Sequence, residues 1–180
     1  MFKTEQGQVF KKYIPVLTIV GKSKSGKTTL LEKLIPELKH RGFRIATVKH
    51  HTHPGFEIDH PGKDTWRHAQ AGSDYVILAS PDKIAWIRRL DKELSLDEIT
   101  ETVSGVDLVL TEGYKSAGKT ALEVVRKERG LDIICSPDQL LLIATDTRLE
   151  VDAPQFDLND SSSIADFIEK WVNSLENKDF

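Results

Sequence analysis

One cysteine, Cys135, in a chain of 180 residues excludes a disulfide framework and any all-thiolate metal site. It is expected as a small buried residue at a strand end. No apolar run approaches the roughly 20 residues needed to cross a bilayer. Residues 1–13 lack the apolar core of a secretory signal, so a reducing, cytoplasmic setting is expected and a membrane is not. Charge of one sign is also missing: 25 Lys+Arg against 28 Asp+Glu leave a net −3. That balance gives no basic face for nucleic acid. No repeat and no domain-splitting linker interrupts the chain. Its length suits one domain with a substantial core. Residues 1–13 are expected as a flexible lead-in, and 14–176 as a single nucleotide-binding domain.

What is present is concentrated in residues 14–34. Gly21-Lys22-Ser23-Lys24-Ser25-Gly26-Lys27-Thr28 matches G-x-x-x-x-G-K-[ST] in full. The apolar run Val16–Val20 before it predicts a buried parallel strand. Leu30, Leu31, Leu34, Ile35 and Leu38 after it are spaced as a helix. Gly21 and Gly26 allow turns in which successive N–H groups face phosphate oxygens. The helix start near Lys27 adds unpaired N–H groups, those of Thr28 and Thr29 among them, and the positive end of a dipole. Lys27 is placed to reach β/γ-phosphates and the Thr28 hydroxyl to ligate Mg²⁺. Lys22 and Lys24 make the loop more cationic.

Downstream, Lys39-His40-Arg41 and Gly42 predict the end of that helix, and residues 43–48 a strand. A long loop rich in His, Asp and Gly runs from Lys49 to Asp64. A helix over 64–71 capped at Gly72, a strand over 74–79 and a strand over 84–87 follow. Ser95 to Glu98 carries a capping box for a helix to about Val103. Strands are expected over 106–111, 120–126 and 140–144, and a last helix behind Asp160 with Ile164, Phe167, Ile168 and Trp171 on its apolar face. The alternation predicts an α/β fold: a doubly wound, mostly parallel sheet of the P-loop NTPase type, with antiparallel additions around residues 75–90 and 120–134.

Ligands of such sheets sit at the carboxyl ends of the strands. Lys49-His50, Glu112-Gly113 and Thr145-Asp146 fall there. Glu112 suits a Mg²⁺ ligand or a group that orients water, whereas Asp107 belongs at the far edge of the same strand. Lys27, Glu112, Asp59 and Asp64 are the candidate catalytic groups, with Asp64 nearly as well suited to be a helix cap. His50, His51, His53, His60 and His68 invite a transition-metal reading, but they lack cysteine and regular ligand spacing. No [NT]KxD guanine reader is present. An Asp146 carboxylate can accept from guanine N1–H and N2–H₂ together, a pair adenine lacks.

Assembled in order, these segments resemble the molybdopterin-guanine dinucleotide biosynthesis adaptor family, MobB. The resemblance rests on the P-loop, Thr47-Val48-Lys49-His50, Asp59 with Gly62-Lys63-Asp64, Ala71-Gly72, the run from Asp107 to Lys115, Ala144-Thr145-Asp146 and Asp157-Leu158-Asn159-Asp160. It implies a homodimeric protein that binds GTP with Mg²⁺, hydrolyses it weakly and assists the guanylyltransferase that joins GMP to molybdopterin. Molybdopterin itself or a molybdoenzyme apoprotein are further implied partners. Residues Gly21 to Thr28 are then the phosphate loop, Thr28 and Glu112 the Mg²⁺ ligands, and Lys49-His50 and the 59–64 segment the lining of the same cleft. The chain departs from the family at its longer lead-in and at Thr65-Trp66, away from the phosphate chemistry. Two alternatives stay open on the residues themselves. A nickel-insertion GTPase calls for a dedicated metal site, and a small-molecule kinase calls for an Arg-rich lid.

Overall fold

The structure, a computed structural model, describes residues 2–3, 9–10, 13–53 and 55–176. The expected flexible lead-in falls mostly outside them. Within it, β1 (Phe2–Lys3) and β2 (Val9–Phe10) pair antiparallel. The chain forms two compact units, Met1–His50 with Leu96–Phe180, and His51–Ser95.

In the first unit the chain runs β3 (Val16–Val20), α1 (Lys27–His40), β4 (Ile45–Lys49), then α3 (Leu96–Glu101) and β7 (Leu108–Glu112) after the second unit. It continues through β8 (Ala121–Val125), β9 (Leu140–Thr145), β10 (Gln155–Asp157) and α4 (Ser161–Glu176). Six strands make one parallel sheet in the order β10-β9-β8-β3-β7-β4. All five residues of β3 and all five of β8 are buried, as strands covered on both faces must be. Alternation then divides the sheet. Leu17, Ile19, Leu110, Leu122, Val124, Leu142 and Ala144 meet α1 and α4, whose Leu30, Leu34, Leu38, Ile164, Ile168 and Val172 lie at helical spacing. On the other face Val16 and Val109 pack with Leu96 of α3.

Helix ends follow the expected chemistry. Gly42 takes φ +90° just past α1. Asp160 accepts from the Ser163 N–H at 3.0 Å and so caps α4; these bonds hold its carboxyl below the usual range. Arg41 ties the two helices together by donating to Glu37, Asp166 and Glu169. At the amino edge of the sheet, Asp107 receives the Arg44 backbone N–H and guanidinium at 2.6–2.9 Å. That is the far edge foreseen for it.

The second unit holds α2 (Asp64–Gln70) and a hairpin of β5 (Tyr75–Ala79) and β6 (Ile84–Arg88). Its antiparallel pairing agrees with the addition expected around 75–90. Asp64 is the first helical residue behind an N-cap at Lys63, and Gly72 turns the chain with φ +103°.

The addition expected around 120–134 is corrected. β8 is parallel and central, between β3 and β9, and residues 126–134 form no strand. A polar residue, Glu123, interrupts what is otherwise the apolar run of a buried strand. Glu123 is 1 % exposed, and its carboxylate accepts the Ile134 and Cys135 N–H groups. Cys135 therefore sits partly buried in the loop ahead of β9, not at a strand end, and burial raises its thiol pKa. β10, only three residues long, had no sequence signal of its own.

Among the described residues no helix is long and apolar enough to cross a membrane. Leu34 is fully buried between α1 and the sheet. Leu34→Ala is expected to lower unfolding free energy by about 2–5 kcal/mol. A denaturant titration with unchanged slope and an earlier midpoint checks it.

Candidate functional site

The sheet register brings the carboxyl ends of β3, β7, β4 and β8 together. Ile19 pairs with Glu112, Lys49 with Glu112, and Val20 with Glu123. The chain leaving β3 therefore enters its glycine loop between Glu112 on one side and the end of β8 on the other.

The loop's shape is dictated by backbone contacts. Gly21 has φ +145°, and a Cβ there would stand 2.5 Å from the Val124 carbonyl oxygen. Lys24 takes φ +60°, Ser25 N–H closes a turn onto Lys22 O at 3.2 Å, and Gly26 takes φ +101° as the N-cap of α1. That N-cap brings no side-chain hydrogen bond and no acid lies in the first turn. Leu30 N–H bonds Gly26 O at 2.8 Å, so the N–H groups of the residues ahead of it point out of the helix end. Ser25 is buried, and its hydroxyl has no partner among the described residues. A concave nest of N–H groups without an acidic cap is an anion site.

Side chains complete it. Lys27 Nζ donates to Gly21 O at 3.1 Å and Lys22 O at 2.8 Å, folded over the loop. Burial pushes its pKa below the ordinary lysine value, against the pull of Glu112 and with the push of Lys115 and Lys49. Thr28 Oγ1 donates to both Glu112 carboxylate oxygens, at 3.1 and 3.2 Å. Lys49 Nζ stands 3.7 Å from the same carboxylate. A hydroxyl and a carboxylate side by side, with no sulfur or imidazole between them, form a donor set that fits Mg²⁺. Ser23, Lys24 and Thr29 are exposed around the loop, and Lys22 is held outward by Asp132 at 2.7 Å.

His50 donates its backbone N–H to Glu112 O at 2.9 Å, and its ring stacks on Tyr114 at 4.6 Å. Gly113, with φ +105°, leaves room for it: a Cβ would lie 3.2 Å from that of His50. Asp146 lies just beyond β9, two strands from β3, roughly 10 Å away at the usual strand spacing. It lines an open cleft of about 840 Å³ formed by residues 145–148 and 151–157. Asp146 Oδ1 accepts the Lys127 N–H at 2.8 Å.

Asp59 and Asp64 belong to the second unit. Asp59 accepts the His60 N–H at 2.8 Å, and Asp64 faces Arg67 at 3.9 Å. The histidine loop packs locally, with His51 against His53 and Phe56. Among the described residues no group of three His, Cys, Asp or Glu is arranged to hold a metal ion.

Arg126 escaped the reading of the sequence as a site residue. Its Nε donates to Ser25 O at 3.3 Å, and a Cβ on Gly26 would meet its Nη2 at 3.2 Å. The signal was there in the alternation Leu122, Val124, Arg126. Once β8 is parallel, that series carries the guanidinium to the edge where the loop lies.

Strand, glycine loop and helix in this parallel sheet define a P-loop nucleotide-binding fold. The model of the family MobB, "Molybdopterin guanine dinucleotide synthesis protein B", matches residues 16–146, and the chain belongs to that family. A relative from Haemophilus influenzae, "Molybdopterin-guanine dinucleotide biosynthesis adapter protein", is 41% identical over 162 residues, 89% of this chain and 90% of that protein. A relative of the same name from Escherichia coli is 34% identical over 172 residues, 90% of this chain and 95% of that one. Among solved structures, "Crystal Structure of molybdopterin-guanine biosynthesis protein B (mobB)" superposes with a TM-score of 0.69 at 34% identity, covering 88% of this chain and 99% of that chain.

Gly21→Ala is expected to push the loop off the Val124 carbonyl and abolish binding of inorganic tripolyphosphate while the protein stays folded. Calorimetry with tripolyphosphate, beside a thermal melt, reads both effects.

Proposed function

We propose that this chain is a GTP-binding adaptor that serves the attachment of GMP to molybdopterin in molybdenum-cofactor biosynthesis, with slow hydrolysis of GTP to GDP as its own chemistry. One observation carries the reading: in a member of this family, Thr28 and Glu112 meet at the mouth of a loop built for phosphate. The relatives' names support the pathway, and the loop's chemistry supports a phosphate-bearing ligand.

On this reading the N–H groups from Gly21 to Thr29 receive the phosphates, and the cations Lys22, Lys24 and Lys27 attract them. Lys27 turns from the Gly21 and Lys22 carbonyls to β/γ-oxygens. Thr28 and Glu112 would hold Mg²⁺, which would supply positive charge to offset that of the phosphates. Glu112 also orients the attacking water. Lys49, His50 and Gly113 line the same edge, and the resemblance leaves Asp59 and Asp64 as further candidates for handling water. Asp146 reads guanine through the oxygen face turned from Lys127. The partner is the guanylyltransferase, with molybdopterin or a molybdoenzyme apoprotein as its downstream client, and the setting is the cytoplasm. Reconstituted dinucleotide-cofactor synthesis should run faster with the chain added; no gain would remove the adaptor role.

Lys27→Ala should abolish GTP·Mg²⁺ binding with the unfolding midpoint intact. Unchanged GTP affinity in the folded variant would sink the phosphate-loop assignment. Glu112→Gln should spare binding more than turnover, since the carboxylate serves Mg²⁺ and water, not the loop's N–H groups. Equal turnover would move that role to Asp59 or Asp64.

The active form is proposed to be a homodimer joined through the β5–β6 hairpin. Val76 is its one buried residue; Ile77, Leu78, Ile84 and Trp86 are each more than half exposed. A two-stranded edge of that kind is completed by a symmetric copy. Light scattering should give twice the 20.3 kDa chain mass, and Trp86→Glu should return it to one chain.

A further inference from the structure

Arg126 is the strongest unassigned group near the loop. It is partly buried at the carboxyl end of β8, and among the described residues no carboxylate pairs with it. Its bond goes instead to a backbone oxygen, Ser25 O, and its guanidinium occupies the space beside Gly26, where an added Cβ would meet Nη2 at 3.2 Å. A carbonyl held outward by a cation leaves the N–H groups of the same loop facing inward.

The backbone that carries Arg126 is itself anchored. Arg129 N–H bonds Arg126 O at 2.8 Å, closing the 3₁₀ turn Lys127–Arg129, and Lys127 N–H bonds Asp146 Oδ1 at 2.8 Å. A continuous path therefore runs from Asp146, beside the open cleft at β9, through the Lys127 amide and the Arg126 side chain to the Ser25–Gly26 wall of the loop. Its non-covalent links are the Lys127–Asp146 and Arg126–Ser25 hydrogen bonds, joined by the peptide bond between Arg126 and Lys127.

We propose that Arg126 is a positioning residue of the phosphate loop, held in place by Asp146, so that the base end and the phosphate end of the nucleotide site are coupled through Lys127. The inference rests on the loop's role as a phosphate site and extends it to residues that role does not need. Asp146 then has two separable tasks. One oxygen accepts from Lys127 and sets Arg126, and the carboxylate as a whole faces the cleft.

Inorganic tripolyphosphate, which has no base, separates the two. Calorimetry is run with tripolyphosphate and with GTP on the full chain and on three variants. Arg126→Ala should weaken both ligands by roughly tenfold or more, the scale of losing a charge-assisted hydrogen bond. Arg126→Lys keeps the charge but not the planar fork, and should recover little of the loss. Asp146→Ala should weaken tripolyphosphate roughly three- to tenfold through the lost Lys127 bond. That sign is diagnostic, because removing an acid near an anion site by itself strengthens anion binding. Asp146→Asn keeps an acceptor for Lys127 and removes only the charge, so it should bind tripolyphosphate at or above the parent level while losing GTP affinity. Thermal melts of the unliganded variants should stay within a few degrees of the parent.

If the parent binds neither ligand, the phosphate-site reading fails. If the parent binds and Arg126→Ala matches it, or Arg126→Lys restores it fully, the positioning role fails alone. Tripolyphosphate binding by Asp146→Ala at or above the parent level overturns the coupling.

Discussion

The Val124 carbonyl stands where a side chain at residue 21 would have to go. That single steric fact ties the loop to the neighbouring strand. β3 hands the chain to α1 through a turn that touches β8, so the turn keeps its shape only while β3 and β8 keep their parallel register. The register is in turn held by burial of both faces: Leu17, Ile19, Leu122 and Val124 against the helices, Val16 and Val109 against α3. Core packing therefore reaches the site as geometry, with the N–H groups aimed by strands that cannot slip without exposing apolar residues.

Charge is arranged to be exchangeable at the same edge. In a chain of net −3, cations from Lys22, Lys27, Lys49, Lys115 and Arg126 gather around the loop, yet among the described residues only Glu112 and Asp132 form ion pairs with any of them. Lys22 with Asp132 is a partly solvated pair, of the kind that contributes little to stability. Lys27 is more demanding. It bonds two carbonyls while burial disfavours its charge. An anion brought to the loop would favour the charged form that burial disfavours.

Much of this was readable from residue order. The P-loop with its strand and helix, the hairpin near 75–90, Asp107 at the amino edge and the cap at Asp160 each depend on local chemistry, and local chemistry is what a sequence displays. β8 was misread because a parallel central strand is recognised by an unbroken apolar run, and Glu123 breaks it. The fold satisfies that carboxylate with N–H groups from Ile134 and Cys135, ten or so residues on, which no periodicity announces. The three residues of β10 are set by pairing with β9 alone. The apolar residues of the hairpin were visible, whereas the partner that would cover them is not encoded in any one chain's pattern.

The misread strand and the missed arginine are one error seen twice. Reading β8 as an antiparallel appendage turns its end away from the loop, and Arg126 then has no reason to matter. With β8 parallel, its continuation grips the loop from two sides. Glu123 holds the 131–135 segment, whose Asp132 takes Lys22, and Asp146 holds Lys127, whose neighbour takes Ser25. Both grips end on loop residues that the G-x-x-x-x-G-K-[ST] pattern leaves free to vary. The motif specifies where phosphate touches backbone; the residues it writes as x are where this protein connects that backbone to the rest of its sheet.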